Sequence, residues 1–572
     1  MADISRRRAL GLTGGAFGLA ACNTTGAGAT PEPESGTATF AYDGDVSFDH
    51  GVASGDPLPD RVILWTRVTP LSGAGPIPVT VRIFDPEQGD GPVDTIQTTT
   101  TEGRDYTVKV DAEGLAPGKA YTYEFEVQTL GGGVTSPRGR TKTTAAAGDT
   151  APVTFAFVSC SNWPFGFFNV YRDIAARDDL DAVIHLGDYF YEYGIDGYGG
   201  EAGQSLGRVH TPVTETVTLG DYRTRHAQYK TDPDLQAAHA AAPWLCTWDD
   251  HESTNNSYRT GAQNHNPEEN EGDWSDRKQV AVQAYLEWMP VRDPNRGQFR
   301  ESIYRAFDFG DVATVFCLES RLTGRSDEIS WFTEFAGKTP EEIPATAMTT
   351  MQRVADPART MLGAEQETWL ANGFATSTGA GKAWQVLANQ TVMANVVPPN
   401  FQQTLSEDAI AAVDNPFVER IVAFSQMGLP WNLDAWDGFP AARERLFSGA
   451  ADAGARLVTF TGDTHTAWAN NLHDANGDLR GVEFGCTSVT SPGLGTTLPV
   501  PDLGQQFVDA NEDVVFHDPF GSGYTLVELT TDTVKADFVK VSTIVEETYT
   551  AETVARFESE RAENGLTALK PV

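Results

Sequence analysis

Val153-Thr154-Phe155-Ala156-Phe157-Val158-Ser159-Cys160 is an unbroken apolar run that turns polar at its end. A strand with one face in water alternates apolar and polar side chains. A strand covered on both faces does not, so this run reads as a buried central strand. DAVIHLGDYF (181–190) repeats the pattern, and the segment from Phe167 to Ala176 between the two is helix-like. Further apolar strands follow in VATVFCLES (312–320), AWQVLANQ (383–390), RLVTFTGDTH (456–465) and GYTLVELT (523–530), with helical stretches 273–289, 359–372 and 441–454 between several of them. Strand and helix alternating in this way predict a layered α/β domain over 149–544. The chain carries no internal repeat.

Upstream the pattern changes. From about Asp45 to Thr144 short alternating runs (RVILWTRV, VTVRIF, YTVKV, YTYEFEV) are separated by turn clusters. Leu115-Ala116-Pro117-Gly118 followed by Tyr121 has the form of the tyrosine corner of Ig-like and fibronectin-type sandwiches. Residues 41–148 are therefore expected to form a small β-sandwich, and AAAGDTAP (145–152) a linker.

Residues 1–22 read as a targeting segment: Ser5-Arg6-Arg7-Arg8 is a basic start, and the apolar stretch Ala9 to Ala21 is too short to span a bilayer. Paired arginines before a weakly apolar run resemble a twin-arginine signal, which exports folded proteins. Leu19-Ala20-Ala21-Cys22 resembles a lipobox, in which Cys22 would carry lipid. Residues 23–40, rich in Gly, Thr and Pro, form a tether. The tail from Val545 to Arg561 reads as an amphipathic helix followed by a short coil to residue 572.

The 572 residues are 40% hydrophobic and carry a formal net charge of −38, a globular composition with an acidic surface. Such a surface repels phosphate backbones and excludes nucleic-acid binding through a basic face. A phosphate-ester substrate stays open if bound cations reverse the field locally. Of five cysteines, Cys160, Cys246, Cys317 and Cys486 are widely spaced and form no CxxC pair, which argues against a disulfide framework. There is no GxSxG, no Walker A and no dinucleotide fingerprint. Asp474-Ala475-Asn476-Gly477-Asp478 begins like a calcium loop, but position 12 of that loop is Gly485, so a hairpin turn is expected.

In open α/β sheets ligands gather at the carboxyl ends of strands. Here those ends read Cys160-Ser161-Asn162, Gly187-Asp188-Tyr189-Phe190-Tyr191, Trp248-Asp249-Asp250-His251-Glu252 with Asn255 and Asn256 beyond, and Gly462-Asp463-Thr464-His465. Four clusters of ligand-type residues at successive strand ends point to a dinuclear metal site. Asp188, at the turn after a strand, is assigned to bridge two cations, and Tyr191 can curl back to donate a phenolate. Phenolate and the Cys160 thiolate favour a trivalent ion such as Fe³⁺. Asp250 and Asp463 offer hard oxygens to Ca²⁺, with Mn²⁺ or Zn²⁺ as alternatives. His465 points the same way as Asp463. His251 has two readings, a proton donor to the leaving group or a hydrogen bond to a ligand carboxylate. Arg321 and Arg443 have two readings, a contact to phosphate or ordinary surface ion pairs, and the ion pairs are expected.

GDYFYEYG with Cys160 upstream, WDDHESTNN, FTGDTHTAW, HGVASGDPLPDRVILWTRVTP, MLGAEQETWL (361–370), WDGFPAAR (436–443) and FGCTSVTSPG (484–493) resemble the PhoD-like alkaline phosphatases and phosphodiesterases, from about His50 to Thr530. The resemblance implies an α/β fold, a layered α/β/β/α metallophosphatase-like sandwich preceded by a small all-β Ig/fibronectin-like domain. Purple acid phosphatases, with GDxxY, share the strand-end arrangement. Carried over by motif, Cys160, Asp188, Tyr191 and His465 would hold iron, and Asp188, Asp250 and Asp463 calcium, with either Asn256 or Asn255 as a calcium or phosphate contact. Residues 545–561 would cap the site as a helix. Two positions depart from the family pattern, Glu319 where aspartate is expected and Phe439 where tyrosine is expected.

Together these readings describe a monomeric hydrolase of small phosphate mono- and diesters, exported by the twin-arginine translocation machinery to the periplasm or cell surface and held at the membrane through Cys22. The attacking group would be a metal-held water or oxide, with no protein nucleophile. The rivals are a phosphodiesterase specialised for phospholipid, cell-wall polymer or nucleotide diesters, and a non-catalytic cation-binding lipoprotein. Loops 194–245 and 395–440 would shape the pocket, and neither carries a readable code for the substrate.

Overall fold

The computed structural model describes residues 41–572 apart from 296, 405–415 and 499. The targeting segment, Cys22 and the tether lie outside the described residues. Among the described residues no helix is long and apolar enough to cross a membrane.

Two large sheets face each other. In the first, Val153–Val158, Ala182–His185 and Pro243–Cys246 run parallel, and Ser522–Leu529, Thr533–Val541 and Ala551–Ala562 continue it antiparallel on one side. In the second, Ala313–Cys317, Trp384–Ala388, Leu457–Thr461 and Leu479–Gly485 are parallel neighbours. Phe155, Phe157 and Ile184 of the first sheet meet Val315, Val386 and Phe460 of the second in one core, with Phe157 stacked on Phe460 at 4.6 Å. The outer face of the first sheet (Ala156, Val158, Trp244) packs on helices Asn169–Ala175, Pro233–Ala241 and Trp274–Trp288. The outer face of the second (Phe316, Leu387) packs on Gly363–Gly379 and Pro440–Ala453. With both faces of every central strand covered, the apolar runs are continuous for the reason anticipated, and the layers follow the expected α/β/β/α order.

The N-terminal region is all-β, but its strands divide between two sheets. Ile77–Phe84, Pro92–Thr100, Ala120–Thr129, Gly132–Thr135 and Gly139–Lys142 form a sheet of their own. Val52–Leu58, Arg61–Arg67 and Thr107–Glu113 instead extend the first large sheet, Val52–Leu58 running parallel to Pro243–Cys246. The junction is fastened by Asp56, fully buried, which accepts two hydrogen bonds from the Arg305 guanidinium (2.7 and 2.9 Å) and one from the Arg292 backbone N–H. The expected tyrosine corner is present: the Tyr121 hydroxyl accepts the Ala116 N–H at 2.9 Å. The Asp474–Asp478 stretch is a hairpin turn, with the Asp474 N–H bonded to the Asp478 carbonyl at 3.0 Å.

The tail corrects an expectation. Instead of a helix capping the site, Ala551–Ala562 is a strand paired along its length with Thr533–Val541. Phe557 packs on Phe538 and Phe516, Ser559 is fully buried, and the intervening residues face outward, a period of two. The open edge of Thr533–Val541 offers a ladder of backbone groups, and β-branched Thr553 and Val554 suit an extended chain.

Candidate active site

The parallel strands of both sheets end on one edge of the molecule, and the chain turns sharply there. Gly187 (φ 109°) lies so close to Asp249 that an added Cβ would sit 2.3 Å from its backbone nitrogen. Cys160 (φ 63°), Asp188 (φ 55°), Asn256 (φ 49°), Asp463 (φ 63°) and His465 (φ 59°) all adopt left-handed backbone conformations. Non-glycine residues enter that region at a steric cost, and such strain concentrates at functional sites.

Asp188 is at the centre and buried. Its Oδ2 accepts the Tyr191 hydroxyl at 3.1 Å and the Cys160 thiol at 3.5 Å, and the Tyr191 hydroxyl lies 3.0 Å from His465 Nε2. Cys160, Asp188 and His465 form one group able to hold a metal ion, and Asp188, Asp250 and His251 form another, the ligand atoms of each lying within 4.8 Å of one another. Asp188 belongs to both. Its Oδ1, and Oδ1 of Asp250, are buried with no hydrogen-bond partner. A buried carboxylate oxygen without a partner is costly unless a cation completes it, and thiol, phenol, imidazole and carboxylate are a coherent donor set. The residues present therefore fit a pair of metal ions.

The electrostatics agree. Burial, followed by the charges of Asp249 and Asp434, pushes the Asp463 carboxyl well above the usual carboxylate range. Burial and the Asp188 charge raise both the Cys160 thiol and the Tyr191 phenol. Burial lowers His465 to about 4, so it is a neutral imidazole whose Nδ1 lies 3.1 Å from the Pro492 carbonyl, leaving Nε2 for the centre. Burial works against charge on His251 too, but Asp250, Glu192 and Asp188 together outweigh it and hold this imidazole well above its ordinary range.

Every residue predicted for the metal centre or for catalysis reaches this edge, though not all in the same way. Asp463 stands 4.0 Å from Arg321 Nη2, outside both compact ligand groups. Of the two asparagines, Asn256 turns inward: its N–H donates to Asp250 Oδ2 at 2.6 Å, while Asn255 bonds Gln263. His251 Nδ1 lies 2.6 Å from Glu192 Oε2, and its Nε2 4.0 Å from Asp250 Oδ1.

Arg321 is another correction. It is fully buried, not a surface residue, and forks onto Asp249 (2.5 and 3.0 Å) while reaching Asp434 at 2.7 Å. Arg443 pairs with buried Asp437 at 2.9 Å and is itself only 12% exposed. Sequence reasoning also missed the supporting carboxylates. Glu252 accepts the N–H groups of Asp188, Tyr189 and Asp249. Glu192 accepts from Thr254, Asn255 and Asn264 besides meeting His251. Glu319, where aspartate was expected, accepts from Trp248, Arg321, Leu322 and Thr323, so it folds its own turn. Phe439 lies under the Arg325 and Arg359 guanidinium groups.

Comparison with known proteins gives this geometry its family. Residues 155–538 match the family described as PhoD-like phosphatase, and residues 34–145 the PhoD-like phosphatase N-terminal domain. The chain is 35% identical over 536 residues to alkaline phosphatase D of Bacillus subtilis (strain 168), covering 91% of this chain and 82% of that protein. A solved structure described as PhoD superposes with a TM-score of 0.73 at 31% identity, covering 93% of both chains. A purple acid phosphatase from yellow lupin (Lupinus luteus) seeds shares the fold at 12% identity and a TM-score of 0.50, over 89% of this chain and 73% of that one. With strand-end motifs, layered fold and sequence identity in agreement, the chain belongs to the PhoD-like phosphatase family and is a phosphatase, a hydrolase of the alkaline phosphatase type.

Proposed function

We propose that this phosphatase is an exported, metal-dependent phosphoric-ester hydrolase acting on both monoesters and diesters through a dinuclear centre. The observation that carries the reading is Asp188, shared by two ligand groups and keeping one buried oxygen without a partner. Cys160, Tyr191 and His465 would hold Fe³⁺, Asp250, Asp463 and Asn256 would hold Ca²⁺, and Asp188 would touch both. Anionic sulfur and phenolate donors suit the trivalent ion, and carboxylate and amide oxygens the hard divalent one. When bound, the pair supplies Lewis acidity toward phosphoryl oxygens and lowers the pKa of water.

The remaining roles belong to the chain. Glu192 fixes the His251 ring through Nδ1 and leaves the Nε2 proton directed at the centre, where it can pass to the departing ester oxygen. Glu252 holds the Asp188 and Asp249 turns by their N–H groups, so the ligand carboxylates are set before substrate arrives. No side chain is needed as a nucleophile. Both ester classes are accepted because the site lies at the open edge of the sheets. Ser5-Arg6-Arg7-Arg8 and Cys22 support twin-arginine export and lipid anchoring.

The test compares turnover of p-nitrophenyl phosphate and bis-p-nitrophenyl phosphate at alkaline pH, before and after chelation and after restoring calcium. Both turnovers are expected, both lost on chelation and regained with metal. Undiminished turnover in protein shown to be metal-free would overturn the dinuclear reading.

A further inference from the structure

Beside the centre a cavity of about 320 Å³ opens against Asn256 and Asp463, within the size range of small-molecule sites. Its far wall is aromatic: Trp331, Phe335, Phe424 and Trp431. These come from segments distant in sequence and are held rigidly. Trp331 stacks on Phe335 at 5.2 Å and lies 4.8 Å from Phe424, and its indole N–H donates to the Pro430 carbonyl at 2.9 Å. Trp431 meets Phe507 edge-on at 6.1 Å. Rings locked in this way present a flat apolar surface at little entropic cost.

The charges on the lining narrow the occupant. It carries Glu328, Asp434 and Asp463 and no basic side chain, so an arm with a second anionic group is repelled. The carboxylates are also engaged. Asp434 pairs with Arg321 and Arg325, Asp463 faces Arg321 and the centre, and Glu328 accepts the Asn256 amide at 2.6 Å. What remains for recognition is the aromatic surface. We propose that this cavity is the subsite for an uncharged aromatic ring carried on an ester arm of the phosphate substrate. The proposal rests on the phosphoryl group sitting at the Asp188 centre, and it makes ring-bearing esters better ligands than alkyl ones.

The test uses non-hydrolysable phosphonates as competitive inhibitors of the metal-loaded full-length protein. Phenylphosphonate is expected to bind at least about tenfold more tightly than methylphosphonate, the worth of burying one ring. In Trp331→Ala, and separately in Trp431→Ala, that ratio falls toward one while methylphosphonate, which carries no ring, still inhibits. Equal inhibition of the wild-type protein by both compounds would overturn the subsite and leave the phosphoryl site standing. So would tighter binding of a trimethylammonioethyl phosphonate than of the phenyl compound, which would make the aromatic wall a cation site. Turnover of p-nitrophenyl phosphate with no inhibition by any phosphonate at concentrations saturating for substrate would also overturn the subsite. Absence of both turnover and inhibition would count against the centre itself.

Discussion

Buried carboxylates at the edge of the sheets fall into two sets. The glutamates Glu192, Glu252 and Glu319 have both oxygens engaged by backbone or side-chain donors. The aspartates Asp188 and Asp250 each keep an oxygen with no partner. All five are almost fully buried, so burial does not separate them. The donors around them do: N–H and side-chain groups of neighbouring turns close on both oxygens of each glutamate, whereas Asp188 and Asp250 each keep an oxygen free within a group able to hold a metal ion. Asp249 and Asp250, adjacent in sequence, show the same division, the first locked by Arg321 and the second facing the ligand group. A satisfied carboxylate holds a loop, and an unsatisfied one waits for a cation.

The division predicts opposite losses. Asp188→Asn is expected to cost about a thousandfold or more in turnover, since both ligand groups lose a member, while the thermal unfolding midpoint of the metal-free protein does not fall. A large drop in that midpoint would place Asp188 among the structural carboxylates. Arg321→Met is expected to do the reverse first. It strands Asp249 in the interior and should cost about 3–5 kcal/mol of stability, read by denaturant unfolding. A cost below about 1 kcal/mol would show that Asp249 does not depend on its partner.

Buried histidines extend the comparison to pH. His185 is engaged at both nitrogens, Nδ1 by the Gly187 N–H and Nε2 by the Tyr171 hydroxyl, and burial lowers it to about 3. The folded state therefore binds fewer protons than the unfolded chain below pH 6.5. Its contribution, about 3–5 kcal/mol, is complete above that pH and is lost as pH falls toward 3. An imidazole signal for His185 titrating near pH 6 would contradict this. On the ligand side the effect is smaller and one-sided. Cys160→Ser keeps a hydroxyl but loses the thiolate, so affinity for the ion beside Tyr191 and His465 should fall about 10–100-fold, with the second ion retained. Equal loss of both ions would mean that the two groups do not bind separately.

Much of this was legible in the sequence because the functional aspartates follow apolar strands directly. VTFAFVSC, VIHLGD and VTFTGD carry fold and site in the same few residues. The supporting residues were not, because their partners are remote: Arg321 meets Asp249 across 72 positions and His251 meets Glu192 across 59. No periodicity marks such pairs, and Arg321 looks like any surface arginine until its burial is known. The tail failed for a related reason. Val554 and Phe557 are spaced three apart as on a helix face, but the edge they pair with is supplied by Thr533–Val541. Likewise Arg61–Arg67 reads correctly as a strand, while the sheet it joins through Val52–Leu58 is set by Pro243–Cys246 far downstream.

The most direct test is the metal content of purified protein, wild type beside Asp188→Ala. Two ions per chain are expected in the wild type, and loss of both in the variant with the fold retained, because Asp188 is the member common to both groups. Two ions still bound to Asp188→Ala would contradict the account at its centre.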